Sequence, residues 1–511
     1  MASSSVAGGS HCTNHTTNET CKNRQGGWRR RSPEQVCPAI EAASYSRVPA
    51  DPFAPFAAKM TAAGEPDIAV RNFRYYYELL RAGDHGKIRE DEIEPVTEVP
   101  DVSTLARYRS AGEAALAKAV VVKLNGGLGT SMGMTKAKSL LTAKDGLSFL
   151  DIIVRQTLHL RRTFGVRLPL VLMNSFRTRE DCRRVLAQYP DLATDVPVDF
   201  IQHKVPRILK SDLTPVAWPQ EPEHEWCPPG HGDIYAALES SGLLDALLAR
   251  GFEYVFVSNS DNLGAVLDVD ILGYVASERV PFLMEVIDRS EADRKGGHIA
   301  RRRDGRLLLR ESAQCPDDAL AAFQDIERHK YFNANNLWVR LRTLKDVITR
   351  TNGVLGLPML ANEKPVDPAD PASPAVIQLE TAMGAALTVF DGARAIRVSR
   401  ARFVPVKTTG DLVVLWSDVY ELTDDYRVVP SPRRTEAAPL VDLDGRTYRR
   451  VQDLEMRFPH GAPSLVAAKR LKVRGDVRFG RGIVVAGDVA IEHAGPSPLV
   501  LQDGTHLQPT S

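Results

Sequence analysis

The stretch from Val121 to Leu141 reads VVKLNGGLGTSMGMTKAKSLL, an apolar run that passes directly into a loop carrying Gly126, Gly127, Gly129 and Gly133. Glycine lacks a Cβ, so such a loop tolerates positive φ and brings backbone N–H groups close to a ligand. Leaving the end of a strand, it can cradle a phosphate or the edge of a base. It is neither of the two common phosphate loops. Gly127-Leu128-Gly129 continues with Thr130 and Ser131 instead of completing GxGxxG, and no GK[ST] follows. By itself the glycine run is equally a tight structural turn. Lys136 and Lys138, a few residues on, add cations able to neutralise a polyphosphate.

Outward from this loop, short β-branched runs alternate with helical patterns from about 116 to 425. AVVVKL (119–124), PLVLMN (169–174), YVFVSNS (254–260) and PFLMEVI (281–287) are near-continuous apolar runs, as strands read when helices cover both faces of their sheet. FLDIIVRQTLHLRRTF (149–164) and AALESSGLLDALLAR (236–250) lie between them with helical spacing. The order argues an α/β fold with a mostly parallel sheet. Upstream, PDIAVRNFRYYYELLRA (66–82) places Ile68, Phe73, Tyr76, Tyr77, Leu79 and Leu80 on one helical face ending near Gly83. Downstream, Leu471, Val477, Ile483 and Val489 recur every six residues, as do Val473, Phe479, Val485 and Ile491. That double hexapeptide period predicts a short left-handed β-helix; a few antiparallel strands would share half of these positions. The expected organisation is a disordered tail (1–45), a helical segment (46–115), a catalytic domain (116–425) and a C-terminal β-helix domain (426–511).

With 65 basic against 64 acidic residues over 511 positions, no broad nucleic-acid-binding surface is expected. No apolar run is long enough to span a membrane. The six cysteines (Cys12, Cys21, Cys37, Cys182, Cys227 and Cys315) show no CxxC pair or metal-ligand spacing. The N-terminus has no apolar core of a secretory signal, so the cytoplasm is the expected location.

LNGGLGTSMG followed by K-x-KS resembles the signature of the eukaryotic-type UTP–glucose-1-phosphate uridylyltransferases, and the resemblance extends over roughly residues 65 to 490. It implies a Rossmann-like, GT-A-like nucleotidyltransferase fold with a mixed sheet. Where the wider pattern has Pro before the second lysine, this chain has Ala137. The resemblance assigns Leu124, Asn125, Gly126 and Gly127 to nucleotide binding and Lys138 to catalysis. In FIQHKVPRI (200–208) it gives Gln202 the edge of uracil, which suits an amide that both donates and accepts. In WCPPGHGDIY (226–235) it puts Gly230 at the nucleotide and His231 at the substrate, although spacing alone reads His231 as a loop histidine.

YVFVSNSDNLGA (254–265) ends a strand in Asn259, Ser260 and Asp261, and ligands of α/β sheets bind beyond the carboxyl ends of strands. The family match makes Asp261 the ligand of a Mg²⁺ cofactor and a nucleotide contact, with Asn259 and Ser260 at the sugar phosphate. Glu285 and Asn335, in PFLMEVIDRSEADRKGGHI (281–299) and YFNANNLWV (331–339), would bond glucose hydroxyls, and Lys407 in RFVPVKTTGDL (402–412) would be a second catalytic lysine.

The implied reaction joins UTP to α-D-glucose 1-phosphate, giving UDP-glucose and pyrophosphate by reversible in-line displacement at the α-phosphorus. The rivals are a UDP-sugar pyrophosphorylase of broad or N-acetylhexosamine specificity and a non-catalytic nucleotide-sugar sensor. An exposed end of the β-helix would be an unpaired edge through which copies could pair into a homo-oligomer.

Overall fold

The computed structural model describes residues 51–509. The tail over 1–45, expected to be disordered, lies outside the described residues, as do Cys12, Cys21 and Cys37. Cys182, Cys227 and Cys315 are buried free thiols. No helix among the described residues is long and apolar enough to cross a membrane.

The apolar runs form the middle of a ten-stranded sheet. Its strands are β1 (Ile93–Pro95), β2 (Ala119–Asn125), β3 (Leu170–Asn174), β4 (Asp199–Ile201), β5 (Tyr254–Asn259), β6 (Phe282–Asp288), β7 (His298–Arg302), β8 (Leu307–Arg310), β9 (Tyr331–Arg340) and β10 (Arg394–Arg397). β4, β3, β2 and β5 lie side by side and parallel. Beyond β5 most pairs are antiparallel: β9 runs against both β5 and β6, and β7 against β1, β8 and β9, while β6 and β10 pair parallel. The sheet is therefore mixed, and the mostly parallel arrangement holds only for the half that carries the glycine-rich loop.

Both faces of the parallel half are covered, which explains the lack of alternation in its sequence. Val121 and Phe256 face a core with Ile152 and Ile153 of the helix Phe149–Phe164. Val120, Val122, Val255 and Val257 face a second core with Leu244 and Leu344. The helix Phe149–Phe164 starts where its sequence says it should. Ser148 and Asp151 form a capping box, a feature worth about 1 kcal/mol, and Gly165 ends it at φ +64°. The run 236–250 is two helices, Ile234–Ser240 and Leu243–Ala249, because Gly242 at φ +72° breaks it. The N-terminal pattern forms the helix Asp67–Arg81, burying Ile68, Phe73, Tyr76, Tyr77 and Leu80.

Seven of the eight C-terminal hexapeptide positions are buried, from Leu471 and Val473 through Val485 and Val489, and Ile491 is half-buried. They lie on parallel ladders: Leu440–Leu443, Ser464–Arg474, Val484–Glu492 and His506–Leu507 in one sheet, and Val477–Phe479 with Leu499–Leu501 in another. Leu471 pairs with Val489 and Val473 with Ile491, partners eighteen residues apart and so three hexapeptides on. The same apolar cluster runs from Phe149 and Val413 to Leu471 and Val485, so this region packs directly on the core of the large sheet and its helices.

One buried pair stands apart in charge. The rings of His298 and His329 stack with centroids 3.9 Å apart, both fully buried, and neither nitrogen of His298 has a hydrogen-bond partner. Burial, reinforced by His329, Arg289 and Arg310, holds His298 well below the usual histidine range. Burial also lowers His329, though Glu90 opposes the shift. Unfolded histidine titrates near ~6.5, so the unfolded chain takes up these protons first. Stability carried by the neutral rings is fully present above that pH and is lost as pH falls below it. Urea midpoints should therefore drop on acidification below pH ~6.5. His298→Phe should flatten that drop at no loss of stability near neutrality, because it removes a buried polar ring that bonds to nothing. An unchanged pH profile in that variant would refute the assignment.

Candidate active site

The four parallel strands end at one edge of the sheet, and the loops that leave them enclose a pocket of about 260 Å³. It is lined by Leu124, Gly126, Gly127, Lys138, Met173, Gln202, Pro228, Gly230, His231, Asn259, Ser260 and Asp261. Ten of the residues singled out from sequence thus meet here from four separate segments. Met173 and Pro228 were not singled out. Met173 is an ordinary apolar strand residue, whereas Pro228 stands inside the PPGHGD segment and was legible there.

Backbone geometry explains the glycines. A Cβ on Gly126 would stand 2.6 Å from Gln202 Oε1 and 2.9 Å from its Nε2, so the amide can lie on the loop only because residue 126 is glycine. The N–H of Gln202 donates to Asn174 O at 2.8 Å, holding the amide beside β3. Gly230 has φ +81°, and a Cβ there would stand 2.4 Å from the carbonyl oxygen of Thr381. The glycine-rich loop doubles back on itself: Leu128 bridges Ala137, and Lys138 N–H donates to Gly127 O at 3.2 Å.

Charge in the pocket is concentrated in one ion pair. Lys138 Nζ lies 2.7 Å from Asp261 Oδ2, with both side chains largely shielded. His231 is held by the N–H of Met383, which donates to Nδ1 at 2.9 Å. The ring proton therefore belongs on Nε2, and burial pushes the pKa down to about 4. At neutral pH His231 is an uncharged donor.

Four candidates lie outside the lining. Asn125 turns inward and donates to Asn174 Oδ1 at 2.7 Å and to Cys182 Sγ at 3.0 Å. Glu285 requires a correction: it does not reach the pocket to bond a sugar. It is fully buried, and both its oxygens are engaged, Oε1 by Arg402 at 2.6 Å and Trp338 at 2.9 Å, Oε2 by Arg402 at 2.8 Å and Asn336 at 2.9 Å. A carboxylate inside a strand covered on both faces must be paired internally.

Asn335 sits one contact back, donating from Nδ2 to Asn259 Oδ1 at 3.1 Å. Its φ is +56° and its buried Oδ1 has no partner, so strain and an unmet acceptor coincide at the edge of the site. Lys407 is exposed. Its position is set by neighbouring backbone, since Asn262 bridges Pro405 and Val406 N–H donates to Asp261 O at 3.3 Å.

Glu311 went unnoticed in the sequence. Its Oε2 lies 2.5 Å from where a Cβ on Gly297 would stand. Burial raises its pKa, and Lys407 is the cation that opposes the rise. Nothing local in LLLRESAQ marks this glutamate, because Gly297 stands across the β7–β8 hairpin from it and Lys407 comes from a segment almost a hundred residues on.

The state of His231 is directly observable. Its ring should be neutral, with the proton on Nε2, at pH 6, and its ¹⁵N resonances should titrate around a pKa of about 4. An imidazolium signal at pH 6 would rule this out.

Residues 70–486 match the family described as UTP–glucose-1-phosphate uridylyltransferase. A UTP–glucose-1-phosphate uridylyltransferase of Hordeum vulgare is 42% identical over 398 residues, 78% of this chain and 82% of its own length. That of Solanum tuberosum is 40% identical over 423 residues, 82% of this chain and 86% of its own. Among solved structures, a variant UDP-glucose pyrophosphorylase of Leishmania major in complex with UDP-glucose superposes with a TM-score of 0.85 at 44% identity, covering 90% of this chain and 98% of that one. A UDP-glucose phosphorylase of Trypanosoma brucei gives a TM-score of 0.82 at 41% identity, covering 90% of this chain and 100% of that one. The chain belongs to the UTP–glucose-1-phosphate uridylyltransferase family.

Proposed function

We propose that the pocket brings UTP and α-D-glucose 1-phosphate together for a single in-line displacement at the α-phosphorus. As a member of its family the chain is a nucleotidyltransferase that makes UDP-glucose from UTP and glucose 1-phosphate. The observation that carries the mechanism is the meeting of Gln202 on Gly126 with the Lys138–Asp261 pair in one cavity. The first is a base-reading amide; the second is a phosphate-facing charge.

The reaction drives one anion against another, so catalysis rests on positioning and charge neutralisation. Gln202 donates to and accepts from the uracil edge, with Gly126, Gly127 and Gly230 allowing close approach. His231 Nε2–H donates to a phosphate oxygen without adding a titrating charge. Lys138 and Lys407 offset the charge that develops on the transferred group. On the sugar side Asn335 Oδ1 is an acceptor in need of a donor, and Asn259 lies beside it. No general base is needed, because the attacking phosphate oxygen is deprotonated at neutral pH.

The donor set fits a magnesium ion held mainly by substrate. Such ions keep one or two protein carboxylates and otherwise take phosphate oxygens. Asp261 offers Oδ1 while its Oδ2 accepts from Lys138. No cluster of three or more His, Cys, Asp or Glu suited to a metal stands among the described residues. When bound, the ion would supply further charge neutralisation beside Asp261.

The same reading keeps the cytoplasm as location and divides the chain into a helical segment (46–115), a catalytic domain (116–425) and a C-terminal domain (426–511). The parallel ladders with partners eighteen residues apart support a short β-helix in the last part. Leu499 and Val500, exposed on its terminal strand pair, support pairing of copies through that end.

Lys407→Ala should lower kcat by roughly a hundredfold to a thousandfold, the cost of one lost transition-state donor. Gln202→Ala should act mainly by raising KM for UTP. Pyrophosphate release measured across a panel of nucleoside triphosphates and sugar 1-phosphates checks both variants and the preference for glucose. A Lys407→Ala enzyme of normal kcat, or a trapped uridylylated enzyme, would contradict the mechanism.

A further inference from the structure

We propose that Arg450, which the C-terminal part of the chain lays against the glycine-rich loop, binds the pyrophosphate half of UTP and the free pyrophosphate of the reverse reaction. The inference rests on the uridylyl-transfer reading above.

Gly133, beyond the Leu128–Ala137 bridge's first strand and before Lys136, has φ +71°. A Cβ at that position would stand 2.7 Å from Arg450 Cγ, 3.1 Å from its Cβ and 3.3 Å from its Cδ. The whole aliphatic stem of the arginine therefore lies on the loop, and residue 133 must be glycine for it to do so. Beyond the stem the residue is exposed. Nearby arginines are paired: Arg446 with Asp444 and Arg457 with Asp476. Among the described residues Arg450 has no such carboxylate, and its side chain does not cap the helix that follows it. An arginine that covers a glycine with its stem and leaves its fork unpaired is placed to take an anion.

The charges of the pocket say which anion. Lys138 is matched by Asp261 at 2.7 Å, and Lys407 acts on Glu311. These four groups carry no net charge between them, yet the site must accept a triphosphate and a sugar phosphate. Unmatched cations lie farther along the loop, at Lys136, which is exposed, and at Arg450. The loop runs from Gly126, under the Gln202 amide, to Lys138 beside Asp261. With the base on Gln202 and the α-phosphate near Lys138, the β- and γ-phosphates extend past the Gly133–Lys136 rim. The planar guanidinium fork is suited to bridge two of their oxygens. As these two phosphates leave together, Arg450 holds the leaving group and makes no contact that UDP-glucose requires.

That asymmetry supplies the test, using the full-length enzyme in the direction of UDP-glucose pyrophosphorolysis. Arg450→Met keeps an aliphatic stem over Gly133 and removes the charge. Its KM for pyrophosphate should rise roughly ten- to a hundredfold, and its KM for UTP in the forward direction should rise with it. Its KM for UDP-glucose should stay within about twofold of wild type. Arg450→Lys should recover part of the loss, since it restores a point charge without the fork. An unchanged KM for pyrophosphate would overturn the proposal. Equal increases in KM for pyrophosphate and UDP-glucose would do the same, marking Arg450 as packing for the loop. Absence of pyrophosphorolysis in the wild-type chain would overturn the underlying reaction, and this inference with it.

Discussion

The buried ion pair between Glu285 and Arg402 joins the sheet to both segments that carry charge into the pocket. Glu285 lies on β6, and its other partners, Asn336 and Trp338, lie on β9. From the other side, Arg402 donates to Val266 O, and Asn262 donates to Arg402 O. The turn after Asp261 and the stretch leading to Lys407 are thus tied to one carboxylate beneath the site. Removing either charge would leave the other buried and unpaired, a loss of about 3–5 kcal/mol in comparable cases. Replacing both with well-packed apolar groups costs far less in comparable cases, so the pair fixes geometry more than it adds stability.

Above that junction the site departs from the rules the rest of the chain obeys. Asn335 has a left-handed backbone and an unmet acceptor, and Gly230 presses against Thr381 where no side chain fits. His231 is kept neutral by burial and oriented by a backbone amide. Such local costs persist only where surrounding structure overrides them, and they collect where ligands bind. Lys138 faces Asp261 and Lys407 acts on Glu311, so the cations around the site are offset by carboxylates. Substrate phosphates can then exchange one set of partners for another.

Much of this was legible in contiguous segments. The apolar runs identified β2, β3 and β5, because strands covered on both faces must be apolar throughout. Ser148, Asp151 and Gly165 marked both ends of one helix by local hydrogen bonding and backbone conformation alone. The glycine loop, Gln202, the PPGHGD segment and the strand end at Asp261 were each readable for the same reason: the residue types that bind phosphate or a base edge stand close together along the chain.

What sequence could not determine were relations between segments distant along the chain. The family resemblance placed Glu285 at a sugar, a role that suits a carboxylate. Only the folded sheet shows that the strand's two covered faces enclose it and that Arg402 claims it. Glu311 acquires meaning from Lys407, and Arg450 from Gly133, more than three hundred residues earlier in the chain. Strand direction beyond β5 departs from the mostly parallel expectation for the same reason, since an apolar run reads the same in either orientation. Local composition determined which groups could meet a nucleotide; long-range packing decided which of them are free to do so, because burial and pairing depend on neighbours that the linear order does not adjoin.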